Sequence, residues 1–311
     1  MDLLITGGLV VDPAQGLEEI RDVLIEDGKI AGLEPPGTIP PAGRKVFEAQ
    51  GLVVAPGLID MHVHLREPGE EYKETIESGT AAAARGGFTG VACMPNTKPI
   101  NDNASVTRFI LDQAAKFGRA RVYPVGAISQ GSSGARLSEY GELKAAGCVA
   151  VSDDGQPVMN ALLMRRALEY AKTFDLLVIS HAEDLNLGAD GVMHEGQVSV
   201  RLGLAGMPAA AEEIMVYRDI RLARLTGARL HIAHVSTAGA VAIIREAKMS
   251  EMGITAEATP HHFPLTEAAV EGYETKAKVN PPLRSEWDRQ AVIEGLADGT
   301  LDAIACDHAP H

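Results

Sequence analysis

Gly57-Leu58-Ile59-Asp60-Met61-His62-Val63-His64-Leu65-Arg66-Glu67-Pro68-Gly69 is the stretch on which the reading of this chain turns. Residues 52–59 are mostly apolar and predict a buried strand, and two histidines follow it with spacing i, i+2. On an extended chain that spacing puts both imidazoles on one face. Neutral imidazoles held side by side suit a transition metal such as zinc. A strand end that carries two histidines by chance is the competing reading, and the rest of the chain has to separate the two.

On either side of this stretch the sequence has two different rhythms. Before it, Leu3-Leu4-Ile5, Leu9-Val10-Val11 and Asp22-Val23-Leu24-Ile25 predict short strands broken by turns at Gly7-Gly8, Asp12-Pro13 and Asp27-Gly28. Residues 1–51 therefore read as the N-terminal part of a small β-sandwich-like module. From residue 52 onward, strand and helix patterns alternate. Strands are predicted at 52–59, 89–94, 121–128, 149–152, 176–180, 230–233, 254–258 and 303–305. Helices are predicted at 72–85, 104–117, 137–146, 161–173, 209–225, 238–252 and 287–297. That alternation predicts an α/β fold, a (β/α)8 TIM-type barrel over 52–311. A doubly wound open sheet has fewer strands and binds at a switch point. The sequence ends at Cys306-Asp307-His308-Ala309-Pro310-His311, directly after the eighth strand. A closed barrel would still need its eighth helix, so the expectation is a barrel truncated there.

Composition narrows the function. A net charge of −14 argues against a general binder of phosphate backbones, and an aromatic content of 4% argues against a base-stacking platform. Cys93, Cys148 and Cys306 are isolated and odd in number, which suits a reducing cytoplasm rather than a disulfide scaffold. No apolar run reaches the length of a membrane span, and the N-terminus lacks the marks of a signal peptide. The expected location is the cytoplasm, with neither nucleic acid nor membrane as a partner.

Polar residues at the strand ends complete the pattern. Asp153 and Asp154 end strand four, His181 ends strand five, His234 strand six and Asp307 strand eight. Taken singly, Asp153-Asp154-Gly155 is a turn, His181 or His234 a hydrogen-bonded loop residue, and Asp307 a helix N-cap. In a barrel, however, all these strand ends meet at one rim, where the active site of this fold sits. Four imidazoles and two carboxylates exceed one tetrahedral catalytic zinc with its water and suit two metals bridged by a carboxylate. Sequence physics alone does not separate Asp153 from Asp154. His231, three residues before His234, is expected to face away in a structural role. His194 is expected to be solvated, and His261 and His262 to stay outside the site.

The end motifs His62-Val63-His64-Leu65-Arg66-Glu67-Pro68-Gly69 and Asp307-His308-Ala309-Pro310-His311 resemble the dihydroorotases of the amidohydrolase superfamily, in particular their bacterial class I branch. The resemblance extends through Met94-Pro95-Asn96-Thr97, Ser152-Asp153-Asp154-Gly155, Ser180-His181-Ala182-Glu183, His234-Val235-Ser236-Thr237 and Asn280-Pro281-Pro282-Leu283-Arg284. It implies reversible closure of N-carbamoyl-L-aspartate to L-dihydroorotate with two zinc ions per subunit. By position, His62 and His64 with Asp307 would hold the first zinc, His181 and His234 the second, and Asp154 would bridge. Asp307 would also carry the catalytic proton. His64, Leu65, Arg66, Asn96, Asn280 and His311 would contact substrate; an ion pair with Glu67 or Glu70 is the alternative use of Arg66. Many relatives bridge their metals with a carboxylated lysine, but no lysine stands at the end of strand four, and Lys144 reads as a surface charge. Partners implied by the resemblance are the small substrate, a second copy as a homodimer, and aspartate transcarbamoylase. Such relatives also run about a hundred residues longer.

Overall fold

Eight strands follow one another in chain order around a barrel: Leu58–Val63, Phe88–Cys93, Arg121–Gly126, Ala150–Ser152, Leu177–Ser180, Leu230–Ile232, Ile254–Ala258 and Ala303–Ile304. Pairing between neighbours is parallel. This computed structural model describes residues 2–188, 190–250 and 253–311. It divides into two units, Met1–Leu58 and Ile59–His311. Between the strands run helices Ile76–Arg85, Ala104–Phe117, Tyr140–Ala146, Ala161–Thr173, Ala210–Thr226, Ala238–Lys248 and Glu286–Ala297. Side-chain oxygens of Thr75, Asn103, Asn160, Thr237 and Ser285 accept free N–H groups at the starts of five of them. The (β/α)8 expectation holds. Residues 251 and 252, at the end of the predicted 238–252 helix, lie outside the described residues.

Period-two alternation sorts the strand residues into two layers. Val178, Leu230, Ile232, Ile254 and Ala256 pack against helix residues such as Met215, Val216 and Ile244. Met94, Val125, Ala150, Ile179 and Ala233 form a separate cluster with no helix residue in it, the filling of the barrel interior. Which way a strand-end side chain points is fixed by this alternation.

The barrel closes between its first and eighth strands. Val63 bridges to His308, and the His64 N–H donates to the His308 carbonyl at 2.8 Å. The buried Asp60 carboxylate accepts from the backbone N–H groups of both His62 and Cys306 at 3.1 Å. One side chain thus ties the two edges together beside the rim.

Two sequence expectations change here. Residues 52–59 are not one buried strand: Val53–Val54 pairs with Leu9 and Val10, and a new strand starts at Leu58. Pro56, which lacks an N–H, and Gly57 separate the two pieces. Leu52, Val53, Leu58 and Ile59 are all more than half exposed. In the N-terminal unit, Gly7-Gly8 is a bulge inside the strand Leu3–Asp12, not a turn. Gly7 sits at φ 67°, and a Cβ on Gly8 would meet Val54 at 2.6 Å. Glycine is therefore needed there for backbone shape and close approach. The remaining strands of this unit, Leu17–Glu26, Lys29–Glu34, Lys45–Glu48 and Val53–Val54, complete a five-stranded sheet. Asp27-Gly28 turns the hairpin between the first two of these as expected.

The seam predicts a stability effect. Asp60→Ala leaves the buried His62 N–H and the part-buried Cys306 N–H without their acceptor and should destabilise by about 1–3 kcal/mol, read as a lower midpoint in denaturant at unchanged slope. An unchanged midpoint would show that the seam does not depend on Asp60.

Candidate metal centre

Strand alternation delivers four side chains to one point, and left-handed backbone past the strand ends brings two more. His62 and His64 leave the first strand on the same face. In the fourth strand Ala150 points inward, so Asp154, four residues on, points inward too. Asp153 turns outward and is held by the backbone N–H and hydroxyl of Ser129. Neighbours that sequence could not separate are thus separated by the pleat. His181 follows the inward Ile179 by two. His234 and Asp307 lie just past their strands and reach the point through left-handed backbone, at φ 35° and 49°. For non-glycine residues that geometry is strained, and such strain gathers at functional sites.

The resulting distances are short. Asp154 Oδ1 lies 3.2 Å from His62 Nε2, 3.4 Å from His181 Nδ1 and 3.6 Å from His234 Nε2, and its Oδ2 lies 3.4 Å from His64 Nε2. Asp307 Oδ1 lies 3.0 Å from His64 Nε2 and 3.6 Å from His62 Nε2. His181 Nδ1 and His234 Nε2 are 2.9 Å apart. Two overlapping sets, His62-His64-Asp154 and Asp154-His181-His234, each bring their ligand atoms within 4.8 Å of one another, and Asp154 is common to both. His62 Nε2 and Asp154 Oδ1 are buried without a hydrogen-bond partner. Buried polar atoms are rarely left so. A ring of nitrogen and oxygen donors around such orphaned atoms fits a divalent transition metal.

Charge points the same way. Burial alone would raise the Asp154 pKa, yet the charge of His62 and the imidazoles of His181 and His234 beside it hold it well below the usual range. Asp307 is likewise held low against its burial, chiefly by its hydrogen bond to His64. Burial opposes protonation of His181, but Asp154 and Glu183 outweigh it and lift that imidazole to about 9. His62 is raised well above its ordinary value, against burial, by Asp154 and Glu257. The carboxylates thus require positive charge around them, supplied either by imidazole protons or by a metal that displaces those protons.

The outer nitrogens of the imidazoles are held by residues that sequence reading assigned no such part. His62 Nδ1 donates to Glu257 at 2.7 Å, His64 Nδ1 to Asn96 Oδ1 at 2.8 Å, and His181 Nε2 to Glu183 at 3.1 Å. Glu183 also accepts from Asn280 Nδ2 at 2.9 Å. Glu257 left a readable signal: an acid inside the apolar run Ile254–Ala258 must find partners, because an unpaired buried charge is too costly.

Other expected positions separate. Arg66 is buried at φ 61° and its Nε donates to the Pro310 carbonyl at 3.0 Å. Glu67 instead accepts from the Ile76 N–H, and Glu70 pairs with Lys73 and Lys98, so neither acid takes Arg66. The Leu65 side chain packs into a core cluster with Val63 and Ile76, which leaves only its backbone for a ligand. Asn280 and His311 line one cleft together with Glu183, Lys278, Met193 and Met207. Lys144 is exposed and reaches the Asp175 carbonyl. His261 and His262 both bond to Thr259. Two histidine expectations are corrected. His194 is buried, not solvated: it belongs to a strand pair, Met193–His194 with Gly206–Met207, and meets Arg284 at 3.3 Å. His231 faces the barrel interior, sharing the inward parity of Ala233, and contacts Glu257 at 3.1 Å. Counting back from His234 gave the opposite face because the left-handed turn at His234 resets the alternation.

By fold, the chain is a (β/α)8 barrel of the kind found in solved cyclic-amide hydrolases. L-Hydantoinase (dihydropyrimidinase) from Arthrobacter aurescens superposes with a TM-score of 0.86 at 22% identity, covering 100% of this chain and 70% of that one. D-Hydantoinase from Thermus sp. superposes with a TM-score of 0.79 at 25% identity, covering 99% and 69%. Residues 51–240 match the dihydro-orotase-like family model. Dihydroorotases from Geobacter metallireducens and Pelotomaculum thermopropionicum are 60% and 62% identical over 311 residues, 100% of this chain and 73% and 72% of theirs. The chain belongs to the dihydroorotase family of enzymes. Among the described residues, no helix is long and apolar enough to cross a membrane.

The outward turn of Asp153 generates a paired prediction. Asp154→Asn should abolish most metal retention, whereas Asp153→Asn should leave metal content per chain near wild type, measured by elemental analysis after gel filtration. Equal losses in both variants would contradict the assignment of Asp154.

Proposed function

We propose that this chain catalyses the reversible ring closure of N-carbamoyl-L-aspartate to L-dihydroorotate, with zinc held by the rim cluster. The observation that carries this reading is the shared Asp154, whose carboxylate stands among four imidazoles with its Oδ1 unpartnered. His62, His64 and Asp307 would hold one ion and His181 and His234 a second, with Asp154 between them. When bound, zinc would polarise the amide carbonyl and lower the pKa of water at the site.

The chain's own residues supply the rest. Asp307 is held ionised below the usual carboxylate range, against its burial, by the imidazoles beside it. At neutral pH it is therefore a base. In hydrolysis it would take the proton released on attack and deliver it to the ring nitrogen, a poor leaving group unless protonated. In ring closure it would remove a proton from the carbamoyl amine. Arg66, anchored through Nε to Pro310, would offer its terminal amino groups to the substrate's α-carboxylate. His311 and Asn96 would complete that side of the pocket, and Asn280 would contact the ring.

A hydantoinase-like activity is the second reading, favoured by the fold neighbours. Against it, the Asp307-to-His311 segment is tied to Arg66 through Pro310, and a guanidinium held there would serve a carboxylate that an uncharged ring lacks. A substrate panel decides: dihydroorotate should be hydrolysed at least tenfold faster than hydantoin or allantoin, and the reverse order would overturn the proposal.

Two variants test the roles. Asp307→Asn should lower kcat by about 10²–10⁴-fold while much of the zinc is retained; near-normal turnover would remove Asp307 from proton transfer. Arg66→Lys should raise KM by roughly 10–100-fold, the worth of a charge-assisted hydrogen bond, with a smaller change in kcat. An unchanged KM would take Arg66 out of the pocket.

A further inference from the structure

Strand seven contributes none of the expected metal ligands, yet it carries a carboxylate that lies almost wholly buried beneath them. Glu257 is 1% exposed and sits at the inward parity of Ile254–Ala258. Both its oxygens are engaged: Oε1 faces His62 Nδ1 at 2.7 Å and Oε2 faces His231 Nε2 at 3.1 Å. His231 Nδ1 in turn lies 2.8 Å from Thr255 Oγ1, two residues before Glu257 on the same strand. His231 is itself 1% exposed.

Those contacts constrain the tautomers along the row. An ionised carboxylate only accepts, so His62 Nδ1 and His231 Nε2 each donate to it. With its proton on Nε2, a neutral His231 presents a lone pair at Nδ1 and accepts the Thr255 hydroxyl. With its proton kept on Nδ1, His62 would present a lone pair at Nε2 once a metal displaces the second proton; that atom is buried without a hydrogen-bond partner and lies 3.2 Å from Asp154. Two of the other imidazoles are backed differently. His64 leans on the neutral amide of half-buried Asn96, and His181 on Glu183, which is shared with exposed Asn280 at the cleft. Of these three, His62 is the one that rests on a sealed carboxylate with its own histidine and hydroxyl behind it.

We propose that Glu257, backed by His231 and Thr255, is a positioning residue that locks His62 as an Nε2 donor and sets how tightly the ion at His62 and His64 is held. Carboxylates in this position orient the ring, fix its tautomer and raise its basicity, and their loss weakens metal binding by about 10–100-fold. The inference rests on the metal-binding reading of the rim.

The test follows zinc release from the holoenzyme to a chromogenic chelator, together with the visible spectrum of the cobalt-substituted protein. Glu257→Gln keeps size and shape but presents an N–H to one of the two imidazole donors. It should release zinc 10–100-fold faster and alter the cobalt spectrum, with the melting temperature of the zinc-free protein close to wild type. His231→Gln leaves the Glu257–His62 contact in place and should speed release several-fold, which keeps the proposal testable if the first variant misfolds. Wild-type release from either variant would overturn it. So would an unchanged cobalt spectrum accompanied by an equal loss of melting temperature in the zinc-free state, which would mark Glu257 as a packing residue. If the wild-type enzyme hydrolyses dihydroorotate while binding no zinc, the metal reading itself fails; if it binds zinc and Glu257→Gln changes nothing, only the present inference fails.

Discussion

A carboxylate taken out of water must be matched by positive charge within a few ångströms, and at the rim of this barrel that requirement falls on Asp154. It is 5% exposed and within 3.6 Å of nitrogens from four histidines. The rest of the site can be understood from that demand. The imidazoles have to converge, so their strands have to end at one level. Their outer nitrogens have to be occupied, so Glu257, Asn96 and Glu183 stand behind three of them. A second acid, Asp307, adds to the same demand for positive charge. Desolvation makes the unmatched arrangement expensive and the matched one specific.

The fold answers that demand with a simple device. A strand places alternate residues on opposite faces, and a closed ring of parallel strands turns one of those faces into a shared interior. Val178 and Ile232 therefore bind helices while Ile179 and Ala233 fill the barrel; two positions beyond Ile179 His181 reaches the rim, whereas His234 reaches it through a left-handed residue that breaks the alternation. Closure is what makes residues as distant as His62 and Asp307 neighbours. The Asp60 contact to His62 and Cys306, with the His64–His308 hydrogen bond, holds the seam where those two residues emerge.

Much of this was legible in the sequence. The alternation of strands and helices, the spacing of His62 and His64, and the polar residues at strand ends were enough to predict a barrel and the side chains that meet at its rim. What escaped had identifiable physical causes. Residues 52–59 read as one strand because apolar character does not show where Pro56 and Gly57 divide it between two sheets. Gly7-Gly8 read as a turn because glycine pairs serve bulges equally well. His231 was assigned to the wrong face because a single left-handed residue, His234, breaks the period from which its direction was counted. Asp153 and Asp154 could not be separated until the inward parity of Ala150 was known. The burial of His194 escapes a local reading because its partners are distant: the strand Gly206–Met207 and Arg284, ninety positions away. Local pattern shows element type well; it shows long-range partners only where chemistry, as with an acid in an apolar strand, forces them to exist.

Anomalous X-ray scattering across the zinc edge, from crystals grown without chelator, tests the central claim most directly. The account predicts two peaks per chain, one between His62, His64 and Asp307 and one between His181 and His234, with Asp154 reaching both. Full dihydroorotate turnover by protein whose crystals show no peak among these six side chains would contradict it.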